Sequence, residues 1–272
     1  MTHLFTAALL TACVTALSSS VSARWPRYPD PGIPKTPDGK PNLAAPAPRL
    51  ADGKPDLFGV WMARAGADPN DQPGRPPRAN FGNTAAGIKD DLPFQPWARE
   101  LQKKRSAEFS KDNPDGLCLP ESTLQLHLDP QPFKIVQTPK QIYIIYETNY
   151  GIRTVYTDGR PLPPQGGPQP YWYGYSVGRW EGDTLVVETN NYKDGGWLDA
   201  RGSPVTDALK VTERIRRLNY GRIDIELTVD DPKAYTQPFT VRVDESLLPD
   251  GSDLIEFICN ENQQFMKRVK VQ

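Results

Sequence analysis

Residues 176–192, SVGRWEGDTLVVETNNY, carry the pattern that dominates this chain: two β-rich runs joined by a tight turn at Glu181-Gly182. Runs of β-branched and aromatic residues on either side of a Gly-containing turn are typical of an antiparallel hairpin. Within the second run, Leu185 and Val187 are two residues apart, so they are expected on one face of the strand. The hairpin therefore predicts a sheet with one apolar, buried face.

The same strand pattern recurs along most of the chain. Because the runs are joined by short turns, neighbours in sequence are expected to pair as antiparallel hairpins. A meander of about nine or ten strands has to bury one face and protect its edges, and a closed up-and-down barrel does both. We therefore predict an all-β, antiparallel, lipocalin-like β-barrel, with a two-sheet β-sandwich as the alternative. The predicted strands are PDLFGVWMA, FKIVQT, QIYIIYE, GIRTVYT, YWYGYSVGRW, DTLVVETN, ALKVTERIRRL, RIDIELTV, FTVRVD and DLIEFICN.

One helix is predicted outside the strands. In residues 94–110, FQPWARELQKKRSAEFS, the side chains of Trp97, Leu101 and Lys104 or Arg105 recur at helical spacing. This periodicity indicates an amphipathic helix.

The first 23 residues have the composition of an export signal. An apolar stretch from Leu4 to Leu17 is followed by small residues up to Ala23, as in a secretory signal peptide cleaved before Arg24. The alternative is a lipoprotein signal, because LTAC, ending at Cys13, fits the pattern before a lipidated cysteine. The mature chain is expected in the periplasm or outside the cell, without a transmembrane segment, since the apolar stretch is too short to span a membrane.

The rest of the chain divides into an arm and one domain. Residues 24–55 are Pro-rich and contain a short echo, DGKPNL at Asp38 and DGKPDL at Asp52. Such a composition indicates an arm that lies extended on the domain or is disordered. Residues 56–272 then form a single barrel domain.

Charge and cysteine content limit the partners and the compartment. The 32 Lys and Arg residues against 33 Asp and Glu leave a formal net charge of -1, so nothing favours a nucleic acid partner. After the signal, Cys118 and Cys259 are the cysteines that remain. An isolated pair in an exported protein is most simply a disulfide, and two buried free thiols are the alternative.

The mature chain lacks the residue types for several kinds of catalysis. A zinc or iron site normally uses two or more His or Cys ligands, and His127 is the only histidine after the signal. We interpret His127, in LQLHLDPQPF, as a loop residue with a structural role rather than as a base beside Asp129. No Gly-rich phosphate loop or Gly-x-Ser-x-Gly elbow occurs, so we expect neither a metal nor a nucleotide cofactor.

Glu213 is the carboxylate that strand alternation places on an apolar face. In ALKVTERIRRL it shares that face with leucine, valine and isoleucine, and a buried carboxylate is costly unless it is paired, hydrogen-bonded or protonated. If the site is catalytic, Glu213 is expected to have a raised pKa, with Tyr175 as a proton donor. Arg153 or Arg214 would then modulate its charge. The structural alternative is a buried ion pair between Glu213 and an arginine.

Aromatic residues mark a possible ligand site. Tyr171, Trp172 and Tyr173 suit the mouth of a barrel that holds an apolar or aromatic ligand, with plain core packing as the alternative. The long loop NNYKDGGWLDARGSP contributes Trp197 and Asp199, and long loops at a barrel rim often carry function. The alternative is a Gly-rich connector with a solvated acidic turn.

Two resemblances support an exported β protein. GVW at residues 59–61 is similar to the Gly-x-Trp signature of the lipocalins, in which the Trp plugs the closed end of the barrel. Local matches such as YSVGRWEGDTLVVET, LKVTERIRR and EFICNEN resemble a large, poorly characterised family of exported proteins from soil bacteria. This resemblance spans residues 55–262 and implies a secreted β domain without an established reaction. Family members often have histidine where this chain has Tyr175, Val205 and Lys210, so their histidine-based sites are not expected here.

Three functions follow from these patterns. The leading hypothesis is a secreted barrel that binds a small hydrophobic or aromatic molecule in its interior. The second is an isomerase, lyase or hydrolase that uses a buried carboxylate without metal or nucleotide. The third is a structural envelope protein, and a cavity would separate the first two from it.

Overall fold

Nine strands of the described chain close into one barrel, in which each strand pairs with its neighbour in sequence and the last returns to the first. The computed structural model describes residues 32–64, 74–248 and 252–259. The predicted signal peptide, with Cys13 and the start at Arg24, lies outside them. The predicted all-β barrel is confirmed. Its strands are β1 (Gly59–Ala63), β2 (Phe133–Gln137), β3 (Gln141–Tyr146), β4 (Ile152–Tyr156), β5 (Tyr175–Glu181), β6 (Thr184–Asn190), β7 (Lys210–Asn219), β8 (Arg222–Asp230) and β9 (Phe239–Leu247).

The odd number of strands forces one parallel pair into the barrel. Strands that alternate up and down cannot close with antiparallel pairs alone when their number is odd, and here the exception is β4–β5. These strands share two residue pairs, Val155 with Ser176 and Tyr156 with Val177, whereas β5 and β6 share seven. Residues 157–174 return the chain to the end at which β4 began. The predicted antiparallel order is therefore correct at every pair except this one, which is the shortest joint in the barrel.

The predicted alternation correctly places Glu213 inside the barrel. Buried residues alternate with exposed arginines along β7, and Glu213 is 0% exposed. The outer face also holds a buried carboxylate. In RIDIELTV, strand alternation predicts Asp224 on the solvated face opposite Ile223 and Ile225, but Asp224 of β8 is 3% exposed because Arg75 covers it, with Nη2 at 2.5 Å from Asp224 Oδ2.

Two predicted strands differ in the structure. YWYGYSVGRW is a strand only from Tyr175, because Gly174 turns the chain with a φ of +66°. DLIEFICN, expected as the last strand, is irregular in residues 252–259. A side chain holds this segment instead of strand pairing, because the carboxylate of Glu147 accepts from the backbone N–H of Ile255 at 2.9 Å.

In the residues that the structure describes, two α-helices accompany the barrel. Helix α1 (Pro96–Ala107) is the predicted helix, but it buries Ala98 and Gln102 while Trp97 is 47% exposed. Helix α2 (Thr123–Leu128) replaces the loop that we expected around His127, and all six of its residues are buried.

Hydrogen bonds and the disulfide connect residues 32–55 and 252–259 to the rest of the fold. The DGKP echo forms the same turn twice, with Gly39 and Gly53 at φ of +80° and +82°, and the arm joins the barrel where Ala45 O accepts from the N–H of Tyr220 at 2.8 Å. Cys118 and Cys259 form the predicted disulfide, with their Cα atoms 5.6 Å apart. The bond connects segment 252–259 to the loop before α2.

The side chain of Trp61, on β1, is fully buried and donates from Nε1 to Leu57 O at 3.1 Å. The guanidinium of Arg217 lies over the ring at 4.9 Å, and its Nη1 donates to Asp56 O at 2.6 Å. Arg217 therefore covers the ring of Trp61, and backbone carbonyl groups accept hydrogen bonds from its guanidinium.

Candidate functional site

Glu213 lies inside the barrel between an arginine and a histidine. Its Oε1 accepts from Arg153 Nη1 at 3.0 Å and is 2.9 Å from His127 Nε2, while Oε2 contacts Arg153 Nη2. All three side chains are buried. The structure thus contains the buried ion pair expected as the structural alternative. Arg214, the other arginine considered, is exposed and pairs with Glu181 at 2.9 Å.

The partners of Glu213 set its protonation. Burial would raise its pKa, but the charge of Arg153 and the hydrogen bonds from His127 and Arg153 lower the pKa to about 2. This direction is opposite to the sequence-based expectation, which lacked the cationic partner. An ionised carboxylate has no proton to give at neutral pH, so Glu213 is suited to orienting its neighbours.

Arg153 connects four strands from the inside. It originates on β4, and its Nε donates to Ser176 Oγ of β5 at 3.0 Å. Its Nη2 donates to Thr189 Oγ1 of β6 at 2.8 Å and also reaches Glu213 of β7. The side chain therefore bridges the parallel β4–β5 pair, where the backbone joint is shortest.

Helix α2 brings His127 to this pair, a role that the sequence analysis missed. The ring makes edge contacts with Phe133 at 5.6 Å and Tyr146 at 6.4 Å between centroids. Because ionised Glu213 can only accept, the imidazole donates to it from Nε2, and Nδ1 lies on the other side of the ring. The only sequence signal was the apolar run LQLHL, which does not distinguish a strand from a short buried helix.

Glu245 of β9 faces the other nitrogen of His127. Its Oε1 is 3.9 Å from Nδ1, too far for a hydrogen bond, and neither Glu245 oxygen nor Nδ1 has a hydrogen-bond partner in the described part of the chain. Burial, with a smaller effect from the charge of Asp244, raises the pKa of Glu245 well above 4.5. Burial thus favours the protonated form of this carboxyl, which faces Nδ1 of His127 while neither group has a hydrogen-bond partner among the described residues.

Alternation could have identified Glu245. In FTVRVDESL the inward residues Val241 and Val243 are followed, at the same spacing, by Glu245. Buried polar atoms without partners are rare in folded proteins, so each one requires an explanation.

Most of the predicted aromatic residues lie away from this site. Tyr175 faces outward, stacked on Tyr156 at 5.2 Å, and its hydroxyl accepts from Arg160 Nη1 at 3.0 Å. Tyr171 is exposed, 6.0 Å from Tyr175. Tyr175 therefore cannot donate a proton at Glu213, because neighbouring Ser176 occupies the inward position of β5. The prediction of Tyr175 as a proton donor is wrong.

Tyr173 and Trp172 point in different directions. Tyr173 approaches the interior, 5.9 Å from Tyr146, and burial raises its pKa to about 12. Trp172 lies beside Lys193, whose Nζ is 4.5 Å from its ring. Of the aromatic cluster predicted for the ligand, only Tyr173 lies next to the buried charges.

Trp197 and Asp199 hold the long loop in place. Trp197 is buried beneath Arg105 of α1, at 4.5 Å from the guanidinium carbon. Asp199 is buried and accepts from Thr84 N–H at 2.8 Å and Ser203 Oγ at 3.0 Å. The loop is thus neither a loose connector nor a solvated turn, and the oxygens of Asp199 are already used by the protein.

A second pair of carboxyls flanks α2. Glu121 Oε1 accepts from Gln125 Nε2 at 2.7 Å, and Asp129 Oδ2 accepts from Thr148 Oγ1 at 2.6 Å. Burial, with the negative charges of Asp129 and Asp115, raises the pKa of Glu121 to about 10. Glu121 therefore holds the proton of this pair.

An apolar cleft of about 490 Å³ is lined by residues that neighbour His127 and Glu245 in the sequence. Helix α2 and the large side chains of Trp61 and Tyr146 are buried. The cleft wall includes Ala63, which pairs with Glu245 across β1–β9, and Leu128, which follows His127. Its size is within the range of small-molecule sites. The lining residues are Ala63, Arg64, Arg78, Ala79, Asn80, Phe81, Gly82, Leu128, Pro130, Val243 and Asp244.

Within residues 32–64, 74–248 and 252–259, no cluster of three or more His, Cys, Asp or Glu side chains could hold a metal ion. In the same residues, no helix is both long and apolar enough to cross a membrane. Comparison of the chain with models of known families, with curated proteins and with solved structures finds no match. The two resemblances drawn from the sequence therefore stay predictions.

Proposed function

We propose that the protein is a barrel enzyme that binds a small apolar or aromatic molecule beside α2 and transfers a proton through His127 and Glu245. One observation carries the proposal: His127 Nδ1 and the carboxyl of Glu245 face each other at 3.9 Å without hydrogen-bond partners in the described part of the chain. A base and an acid with different protonation states at one position are the requirement for proton transfer.

The roles follow from the contacts. His127 Nδ1 accepts a proton from the substrate, and the resulting imidazolium is stabilised by the carboxylate of Glu213. Glu245 gives its proton to the substrate atom that gains negative charge, such as a carbonyl oxygen. The imidazolium then protonates a different substrate carbon while Glu245 takes its proton back from the oxygen, which completes an isomerisation without net change in the protein. Glu213 and Arg153 are positioning residues.

Access of the substrate to His127 and Glu245 limits the reaction. Both side chains are closed off from solvent, so catalysis requires an opening of the wall beside the apolar cleft. Binding without turnover is the second candidate function, and the apolar side chains of this cleft favour it. Either function moves the predicted ligand from the barrel interior to its edge.

We also propose that the protein is exported and belongs to the family of soil-bacterial exported proteins that it resembles. The disulfide between Cys118 and Cys259 supports an oxidising compartment. The apolar segment at the start of the sequence supports an export signal.

The proposal is tested with 5-nitrobenzisoxazole, a small aromatic compound that opens to a coloured nitrophenolate when a base removes its ring C–H proton. We expect the wild-type protein to accelerate this reaction, and His127→Gln to lower the rate by about 10²-fold, the usual scale for losing a general base. Glu245→Gln should also be slower, because the amide cannot donate the same proton.

Glu121→Gln is the matched control. It changes another buried, protonated carboxyl next to α2, but one that does not contact His127, so its rate should equal that of wild type. If His127→Gln binds the compound and turns it over as fast as wild type, the enzyme proposal fails and the binding function remains.

A further inference from the structure

We infer that a second cleft, between α1 and the loop of residues 194–207, binds a small organic anion that carries an aromatic or apolar ring. The cleft measures about 510 Å³. It is separate from the apolar cleft beside His127 and shares no lining residue with it, so the inference does not depend on the proposed enzyme. Its lining consists of Trp97, Leu101, Arg105, Asp194, Gly195, Pro204, Val205, Thr206, Asp207 and Lys233.

Arg105 supplies the positive charge. Its guanidinium lies over the ring of Trp197 at 4.5 Å, and Nη1 donates to the backbone oxygen of Gly202 at 3.0 Å. No salt bridge to Arg105 forms among the described residues. Burial lowers its pKa, and the charges of Asp112 and Asp194, which form no salt bridge with it, offset this only in part. A ligand carboxylate would provide a closer anion through charge-assisted hydrogen bonds.

The other charged residues of this cleft already have partners. Lys233 Nζ is 2.6 Å from Asp207 Oδ1. Asp194 accepts from the N–H of Gly195 at 2.9 Å. Arg105 is therefore the lining cation without a salt bridge among the described residues, although the carboxylates of Asp194 and Asp207 are exposed at the same cleft.

The close approach of the loop holds Arg105 in place. Gly202 has a φ of +89°, and a Cβ built on it would lie 2.6 Å from Arg105 Cβ. Only glycine permits this backbone conformation next to the helix without strain. The guanidinium is thus confined between Gly202 and the Trp197 ring.

A stripe of α1 supplies the apolar wall. Trp97, Leu101 and Arg105 follow each other at four-residue spacing, so they lie on one face of the helix over about 12 Å. Sequence periodicity predicted this stripe, yet it lines an open cleft, and the Trp97 ring is half exposed. Trp97 Nε1 donates to Lys233 O at 2.8 Å, which fixes the ring. An elongated aromatic acid fits, with its ring against Trp97 and its carboxylate at Arg105.

The test measures the binding of 3-phenylpropionate and of its neutral amide to the full chain by isothermal titration calorimetry. We expect saturable binding of the acid and at least about tenfold weaker binding of the amide, since the amide lacks the charge that Arg105 recognises. Arg105→Met should weaken binding of the acid by about tenfold or more, and Arg105→Lys by less. Lys104→Met, an exposed neighbour on the same helix, is the matched control and should bind like wild type.

Several outcomes would overturn the inference. These are equal affinity for acid and amide, wild-type affinity in Arg105→Met, or no saturable binding by the wild-type chain. Thermal unfolding checks that each variant folds, and Trp97→Ala, which alters a half-exposed ring, replaces Arg105→Met if that variant does not fold. Trp97→Ala must then weaken binding of the acid for the inference to stand. His127→Gln should leave this binding unchanged, so failure of the proposed enzyme and failure of this site are distinguishable.

Discussion

Replacing Glu213 with glutamine keeps the shape of the side chain and removes the charge that neutralises Arg153 inside the barrel. The magnitude follows from the pKa. A pKa of about 2 for this carboxyl, instead of 4.5, corresponds to about 3 kcal/mol of stabilisation, because each pKa unit corresponds to about 1.4 kcal/mol. Stranding one charge of a buried pair costs about 3–5 kcal/mol in other proteins. We therefore expect Glu213→Gln to lower the free energy of unfolding by about 3 kcal/mol and Tm by about 6–12 °C.

The assay is thermal unfolding followed by circular dichroism at several pH values. Because the folded pKa of Glu213 is depressed, its stabilisation is fully present above the ordinary value of 4.5 and is lost as the pH falls through about 2. The difference between wild type and Glu213→Gln should therefore shrink in acid. Glu188→Gln is the matched control, because it breaks an exposed pair with Arg179 on the outer face and should cost less than about 1 kcal/mol.

The double variant separates a stranded charge from lost packing. Arg153→Met combined with Glu213→Gln removes both charges, so it should be more stable than Glu213→Gln alone. An unchanged Tm in Glu213→Gln would refute the reasoning, because the carboxylate would then contribute nothing to the barrel. A deficit that Arg153→Met does not relieve would refute the assignment of that deficit to the arginine charge.

Two further predictions concern stability. Replacing Cys118 and Cys259 by serine should lower the free energy of unfolding by about 5 kcal/mol, because the bond closes a loop with a sequence separation of 141; an unchanged calorimetric Tm after reduction would contradict this. Glu121 has a folded pKa of about 10, so it keeps a proton that the unfolded chain releases above 4.5, and stability falls by about 1.4 kcal/mol per pH unit in that range. Glu121→Gln should therefore raise Tm more at about pH 8 than at about pH 5, and calorimetric gains that are equal at both would count against the buried proton.

Local patterns in the sequence were enough to predict the barrel and its inner face. The strand period of two residues marks one face as apolar within a single strand, so Leu185, Val187 and Glu213 could be placed inward without any knowledge of their partners. The disulfide was predictable for a similar reason, since the pairing of two cysteines leaves few alternatives. Helix α1 followed from its period, although its packing face did not, because periodicity does not show what covers a helix.

The candidate site was decided by tertiary structure. Glu213 meets Arg153 and His127, which are 60 and 86 residues away in the sequence, and only the register of the closed barrel and the insertion of α2 bring them together. The direction of the Glu213 pKa changed with those partners, because a nearby cation outweighs burial. The parallel β4–β5 pair likewise follows from the strand count of the closed barrel, and no single strand contains that information. Strand alternation predicts which face of the sheet a residue lies on, whereas the chemistry of its side chain depends on the residues that the fold places opposite it.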